Sequence, residues 1–251
     1  MTMHPPKDET LAIALMALGL GALGALSLGS GDFAFQWQPV PPDAPARGAL
    51  ALAAGGLELL AAALLLPART RATGAWLAAV VLLGWVALHV PFVARREAST
   101  ADWLGVAETA AMASAALMLA ATTSGLSAAA TIVRGATWAF GLAAIVFGVS
   151  HVVYAGFTAT MVPAWLPQRL ALAYVTGAAH ALAGIAILTG VQRGLAARLE
   201  AAMMAVFVAL VHVPMVLAKP ADRMGWTMLA VAVLLTGSSA MVGATARRRT
   251  A

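Results

Sequence analysis

The chain reads as eight apolar stretches separated by short polar or proline-rich breaks, at roughly 11–31, 47–66, 72–94, 103–122, 134–157, 168–190, 196–218 and 226–245. Each is about 20 residues long, enough for a helix to cross a hydrocarbon core about 30 Å thick. The runs are continuous and do not alternate with a period of two, which excludes an outer-membrane β-barrel. The pattern predicts an all-α, polytopic integral membrane protein with eight transmembrane helices. The first stretch follows a single lysine, Lys7, and has no convincing cleavage site, so it is read as a spanning helix and not as a removed signal.

The eight stretches form two sets of four. At an offset of 122, Pro41 falls on Pro163, Pro45 on Pro167, Arg47 on Arg169 and Gly55 on Gly177. Later the offset is 123, and His89-Val90-Pro91 falls on His212-Val213-Pro214 and Trp103 on Trp226. Matches of Pro, His, Trp, Gly and Arg in one order do not follow from composition, so the chain is an internal repeat. The expected modules are 1–124 and 125–251, joined near residues 122–131, and the expected architecture is two tandem four-helix bundles. Four spans per unit insert both units in the same orientation, related by an axis along the membrane normal. Short connections make consecutive helices antiparallel neighbours. The prolines gather in the connections around 39–45 and 163–167, where a missing N–H is tolerated. Trp37, Trp103, Trp165 and Trp226 lie near expected helix ends and read as interface anchors. Ala17, Gly21, Ala25 and Gly29 give the first helix a close-packing stripe.

Composition agrees with this class. Hydrophobic residues make up 62% of the chain and charged residues 10%, with mean hydropathy +0.89, more apolar surface than 251 residues can bury in water. There is no cysteine, which excludes thiol–disulfide chemistry and cysteine-ligated metal sites. The isoelectric point near 10.7 does not point to nucleic acid, because the basic residues sit in short loops and the tail Arg247-Arg248-Arg249. Nine of the 15 Lys and Arg residues fall on the side of the termini and six on the other. The bias predicts both termini in the cytoplasm and a multi-pass protein of the cell inner membrane, with the lipid bilayer as its first partner.

Ionisable groups inside spans are costly and need a reason. The candidates are Glu58, His89, Glu108, His151, His180 and His212, with Asp32 at the end of the first helix. Counted along the stretches, Glu58 and His180 lie near the midplane, His89 and His212 near the outer ends, His151 about two turns from the outer end and Glu108 about one turn in. They point to one polar region opening outward. Glu58 and His180 are repeat counterparts, as are His89 and His212, while Gly29 stands opposite His151. Three chemistries fit these residue types: a proton-handling or hydrogen-bonding pocket for a lipophilic ligand such as a quinone, a bis-histidine haem site drawn from His151 with His180 or His89 with His212, and a zinc or copper site for which His151 and His180 are the candidates. A structural reading stands beside them, in which each group hydrogen-bonds a neighbouring helix. In the His-Val-Pro motifs the histidine would satisfy a carbonyl freed by the proline. No P-loop, His-Glu-x-x-His, dinucleotide fingerprint or nucleophile elbow is present, which argues against ATPase and hydrolase chemistry of those classes.

The segment from Gly148 to Gly190 resembles the DoxX-like membrane proteins, which are four-helix modules. Gly148 and His151 fit the Gly-x-x-His end of helix one, with Val152 where an aromatic usually stands. Met161, Pro163, Leu166 and Pro167 fit the proline-bracketed loop, and Thr176, Gly177 and Gly184 fit helix two. His180 departs from the family, which has glutamate there; the first unit keeps that carboxylate as Glu58 beside Gly55 and lacks the histidine. The resemblance implies a membrane component working with a redox partner protein, some relatives belonging to thiosulfate:quinone oxidoreductase assemblies, with Glu58 and His151 as the polar residues of interest. The hallmarks survive in different copies, which fits either one composite site or decay after duplication. A membrane component associated with redox or quinone chemistry is therefore the leading expectation, with a small-molecule transporter or permease and a ligand-free scaffold as alternatives.

Overall fold

The computed structural model describes residues 7–248; Arg249, counted in the charge bias, lies outside them. The described chain is helical throughout: α1 Lys7–Ser30, a 3-10 turn Phe35–Trp37, α2 Arg47–Leu65, α3 Arg71–Val93, α4 Thr100–Thr123, α5 Ala129–Val153, a short α6 Ala155–Met161, α7 Arg169–Thr189, α8 Arg193–Phe207, a π turn Val208–His212, α9 Val213–Ala218 and α10 Arg223–Arg248. Counting α8 to α9 as one rod, eight helices are long and apolar enough to cross a membrane. Two boundaries differ from expectation. The fifth helix stops at Val153, so His151 lies in its last turn, and residues 155–161 form the separate α6.

Local chemistry explains the ends. Ser99 and Asp102 form a reciprocal capping box at the start of α4. Four of the long helices after the first begin with arginine at the same repeat positions, Arg47 and Arg169, Arg71 and Arg193. A cation there opposes the helix dipole, so the arginines serve another purpose. Arg71 Nε donates to Leu65 O at 3.1 Å and Arg193 Nε to Ile187 O at 2.9 Å, each satisfying a terminal carbonyl of the preceding helix. Ala46 and Gln168, the residues before α2 and α7, both adopt left-handed φ, 54° and 53°. The repeated positions therefore take the same local geometry.

Packing follows a ring. Each long helix lies against the next in sequence, α1 also packs along α10, and α4 meets α10 across the middle. The termini share one end, where Asp8 pairs with Arg247. The two units of four do not close on themselves as separate bundles: α1 turns to α10, and α4 turns to α5. Burial is graded to match. In its most apolar window α4 is 72% and α10 83% buried, against 28% for α3 and 22% for the α8–α9 rod. The outer helices present large apolar side chains outward, including Leu18, Leu182 and Leu217.

The units align through glycine crossings. A Cβ on Gly55 would lie 2.8 Å from Gly24 O and 3.0 Å from Ser27 Cβ; a Cβ on Gly177 would lie 3.1 Å from Gly148 O and 2.8 Å from His151 Cβ. Only glycine permits these approaches. They also correct the repeat: the structural counterpart of His151 is Ser27, not Gly29. The α1–α2 connection is two residues longer than its counterpart, so the register of α1 on α5 is 124.

Candidate functional site

A cavity of about 540 Å³ opens between the second unit and α4, toward the end opposite the termini. Four of the six candidate residues line it: Glu108 from α4, His151 from α5, His180 from α7 and His212 from the π turn. Most of the remaining wall is apolar, and α6 with the loop after it contributes Phe157, Thr158 and Met161 along its far end.

The four groups are held by different means. His151 Nδ1 lies 3.0 Å from Thr176 Oγ1, and its ring meets His180 edge to face at 4.9 Å. Phe207 stacks on His151 at 6.0 Å, and Phe147 stands edge-on to His180 at 5.7 Å, so neither imidazole is free to swing. His180 Nδ1 lies 2.6 Å from Glu200 Oε1, with both side chains almost wholly buried. With the carboxylate accepting from Nδ1–H, the tautomer leaves Nε2 as the ring nitrogen available to a ligand. Glu108 accepts from Trp37 Nε1 at 2.6 Å. His212 Nδ1 and Ser150 Oγ are buried with no hydrogen-bond partner.

The other two candidates lie elsewhere. Glu58 is fully buried in the first unit, where Oε1 accepts from Gln38 Nε2 at 2.6 Å and Trp85 Nε1 at 3.0 Å. His89 is buried against Gly105, whose hydrogens face its ring carbon at a distance no Cβ would tolerate. Glu58 and His180, counterparts by sequence, therefore sit in unlike surroundings. So do the two His-Val-Pro motifs. Around His89 the helix is regular, whereas around His212 it opens into a π turn, a distortion that recurs at functional sites. The expected capping of the histidine's own helix is not observed: His89 instead hydrogen-bonds the backbone of Trp37, and His212 Nδ1 is buried without a partner.

Two further expectations change. Trp37 is no interface anchor; it is buried and bonded to Glu108, whereas Trp103, Trp165 and Trp226 are exposed. Glu200 was absent from the sequence candidates, because its neighbour Arg198 makes it look like a charge at a helix end. The signal available was the tight turn between α7 and α8. It places residues 180 and 200 at matching depth on facing helices.

Metal and haem chemistry find little here. No group of three or more His, Asp or Glu is placed to hold a metal ion among the described residues. The rings of His151 and His180 touch each other, which leaves no room for an iron between them.

A family model described as a domain of unknown function, DUF8561, matches residues 139–236. The match takes in His151, His180, Glu200 and His212 and leaves out Trp37 and Glu108. No curated protein and no solved structure matches the chain.

Proposed function

We propose that the chain is an integral membrane protein whose cavity binds a small amphipathic ligand of the quinone class, as a component associated with redox chemistry. The observation that carries this reading is the convergence of His151, His180, His212 and Glu108 on one apolar cavity. Its volume falls in the range of sites for drug-sized molecules, and a few placed polar groups in an apolar wall suit a ring with carbonyls at its edge. Ser150 Oγ and His212 Nδ1 supply unpaired polar atoms that a ligand would satisfy. Insertion is supported by eight helices of spanning length and by the large apolar side chains they turn outward. The charge bias favours cytoplasmic termini, so that the cavity opens toward the opposite face. The DoxX-like pattern from Gly148 to Gly190 supports a redox partner protein and coincides with the helices that line the cavity.

The test is quenching of tryptophan fluorescence by a short-chain ubiquinone analogue, titrated into the detergent-purified protein. Saturable quenching at micromolar concentration is expected, lost in Thr176→Trp, which fills the cavity, and weakened about tenfold or more in His180→Ala, corresponding to about 1.4 kcal/mol. Non-saturable quenching, equal in the variants, would overturn the reading and return the chain to the transporter and scaffold alternatives.

A further inference from the structure

A second cavity, of about 360 Å³, lies between α7 and α8 on the side of the termini. It runs from Gln192 in the turn between the two helices, past Ala196 and Leu199, to Glu200. Glu200 thus has two faces. Its Oε1 holds His180, which lines the large cavity, and its Oε2 is buried without a hydrogen-bond partner. Glu200 stands seven residues into α8, about 10 Å from the helix start at 1.5 Å per residue. A buried carboxylate with one oxygen unpaired is costly, and no structural requirement of the helix pair explains it. Apolar packing would serve the α7–α8 contact better.

We propose that Glu200 and His180 form a proton path joining the two cavities, and so the two ends of the protein. This rests on the membrane reading above but not on the identity of the ligand. From the Nδ1–H tautomer, Nε2 takes up a proton from the large cavity while the Nδ1 proton passes along the 2.6 Å contact to Glu200, which releases it on the Gln192 side; the reverse sequence carries a proton the other way. One proton enters and one leaves, no electron moves, and tautomer exchange in the ring resets the pair. The neighbouring ionisable groups leave this route clear. Arg193 is engaged with Ile187 O, and Arg198 lies along α10 at Gly243. On the far side His151 touches the His180 ring, and Glu108 and His212 line the same cavity to take up or pass on the proton. The first unit has no equivalent: alanine stands at position 78, where the register of Arg71 on Arg193 places the counterpart of Glu200. The path belongs to one unit only.

The experiment uses the full chain in liposomes holding a pH-sensitive dye, with a potassium diffusion potential driving protons inward. Wild-type protein is expected to acidify the lumen faster than protein-free liposomes. Glu200→Gln, which keeps the side-chain shape and a hydrogen bond to His180, is expected to lower that rate at least about tenfold, and Glu200→Asp to restore part of it. His89→Gln, outside the path, should conduct as wild type. Quinone quenching of Glu200→Gln at the wild-type midpoint shows that the variant is folded and separates this test from the ligand reading. A wild-type rate no higher than that of empty liposomes, or equal rates in wild type and Glu200→Gln, would overturn the path even where quinone binds.

Discussion

Gln38 Nε2 donates to Glu58 Oε1 at 2.6 Å, and the loop that carries Gln38 fills its own unit. Phe33, Ala34, Trp37 and Gln38 are all buried, and Phe33 packs edge-on against Trp85 at 5.8 Å. In the second unit the corresponding connection folds as α6 and borders a cavity instead. One repeat therefore uses its midplane ionisable group as a fastening and the other presents it to open space. Glu58→Ala would strand the Gln38 and Trp85 donors in an apolar interior, at a cost of about 2 to 4 kcal/mol. Thermal unfolding in detergent should show the loss, with Glu58→Gln milder. An unchanged midpoint in Glu58→Ala would mean that the network carries no stability.

The crossing at Gly148 and Gly177 makes a paired prediction. A Cβ on Gly148 would sit 2.6 Å from Gly177 O, whereas one on Gly56 meets nothing within 4 Å. Gly148→Ala should lose about 1 to 3 kcal/mol by overpacking. Gly56→Ala, in a helix interior with space, should gain about 0.5 to 1 kcal/mol from reduced backbone entropy. The two unfolding midpoints should move in opposite directions; movement in the same direction would show that the crossing is not the constraint.

Ala46 and Gln168 hold left-handed backbone at equivalent turns. That conformation costs a non-glycine residue about 1 to 2 kcal/mol. Replacing either by glycine should stabilise the protein by about 0.5 to 1 kcal/mol once the added freedom of the unfolded chain is subtracted. The single variants should be additive, because the turns belong to different units.

Asp32 lies outside the helices and joins the units. It accepts from Arg47 at 2.9 Å, and Arg223 from the start of α10 reaches its carbonyl at 2.8 Å and lies 3.9 Å from its carboxylate. Burial raises its pKa, but the Phe33 N–H, the Arg47 hydrogen bond and the charges of Arg47 and Arg223 together outweigh this and hold it below the ordinary value of 3.8. A depressed carboxylate stabilises the fold above its unfolded pKa and loses that contribution as the pH falls through the folded value. The side chain is half exposed, so the contribution is screened to about 1 kcal/mol or less. Midpoints of wild type and Asp32→Asn should differ at about pH 6 and converge toward about pH 3. A constant gap would assign the difference to shape and not to charge.

The sequence was legible where a residue's role depends on its own stretch of chain. Apolar run lengths placed all eight long helices to within a few residues, and the Pro, Arg and Gly matches marked turns that do share their geometry. It was less legible where partners come from afar. In α1 the residues that would set the register are alanines and glycines, so the pairing of His151 with Gly29 slipped by two from its true counterpart, Ser27. Trp37 read as an anchor because nothing local shows that its loop dips into the bundle to reach Glu108, 71 positions away. The gathering of Glu108 with the second unit's histidines depends on α4 crossing to α5 and α10. That is a property of ring closure and not of either unit alone.

The pairing of α1 with α10 has a consequence for biosynthesis. α10 follows α1 by nearly 200 residues, so α1 meets this extensive neighbour only after α10 has left the ribosome. At about 5 to 20 residues per second this is a wait on the order of ten to forty seconds. During that time the small-residue face of α1, with Gly19 destined to lie against Leu234, waits for its partner. α1 packs early on α2 as well, so loss of α10 would leave one face of α1, and not the whole helix, without its seat.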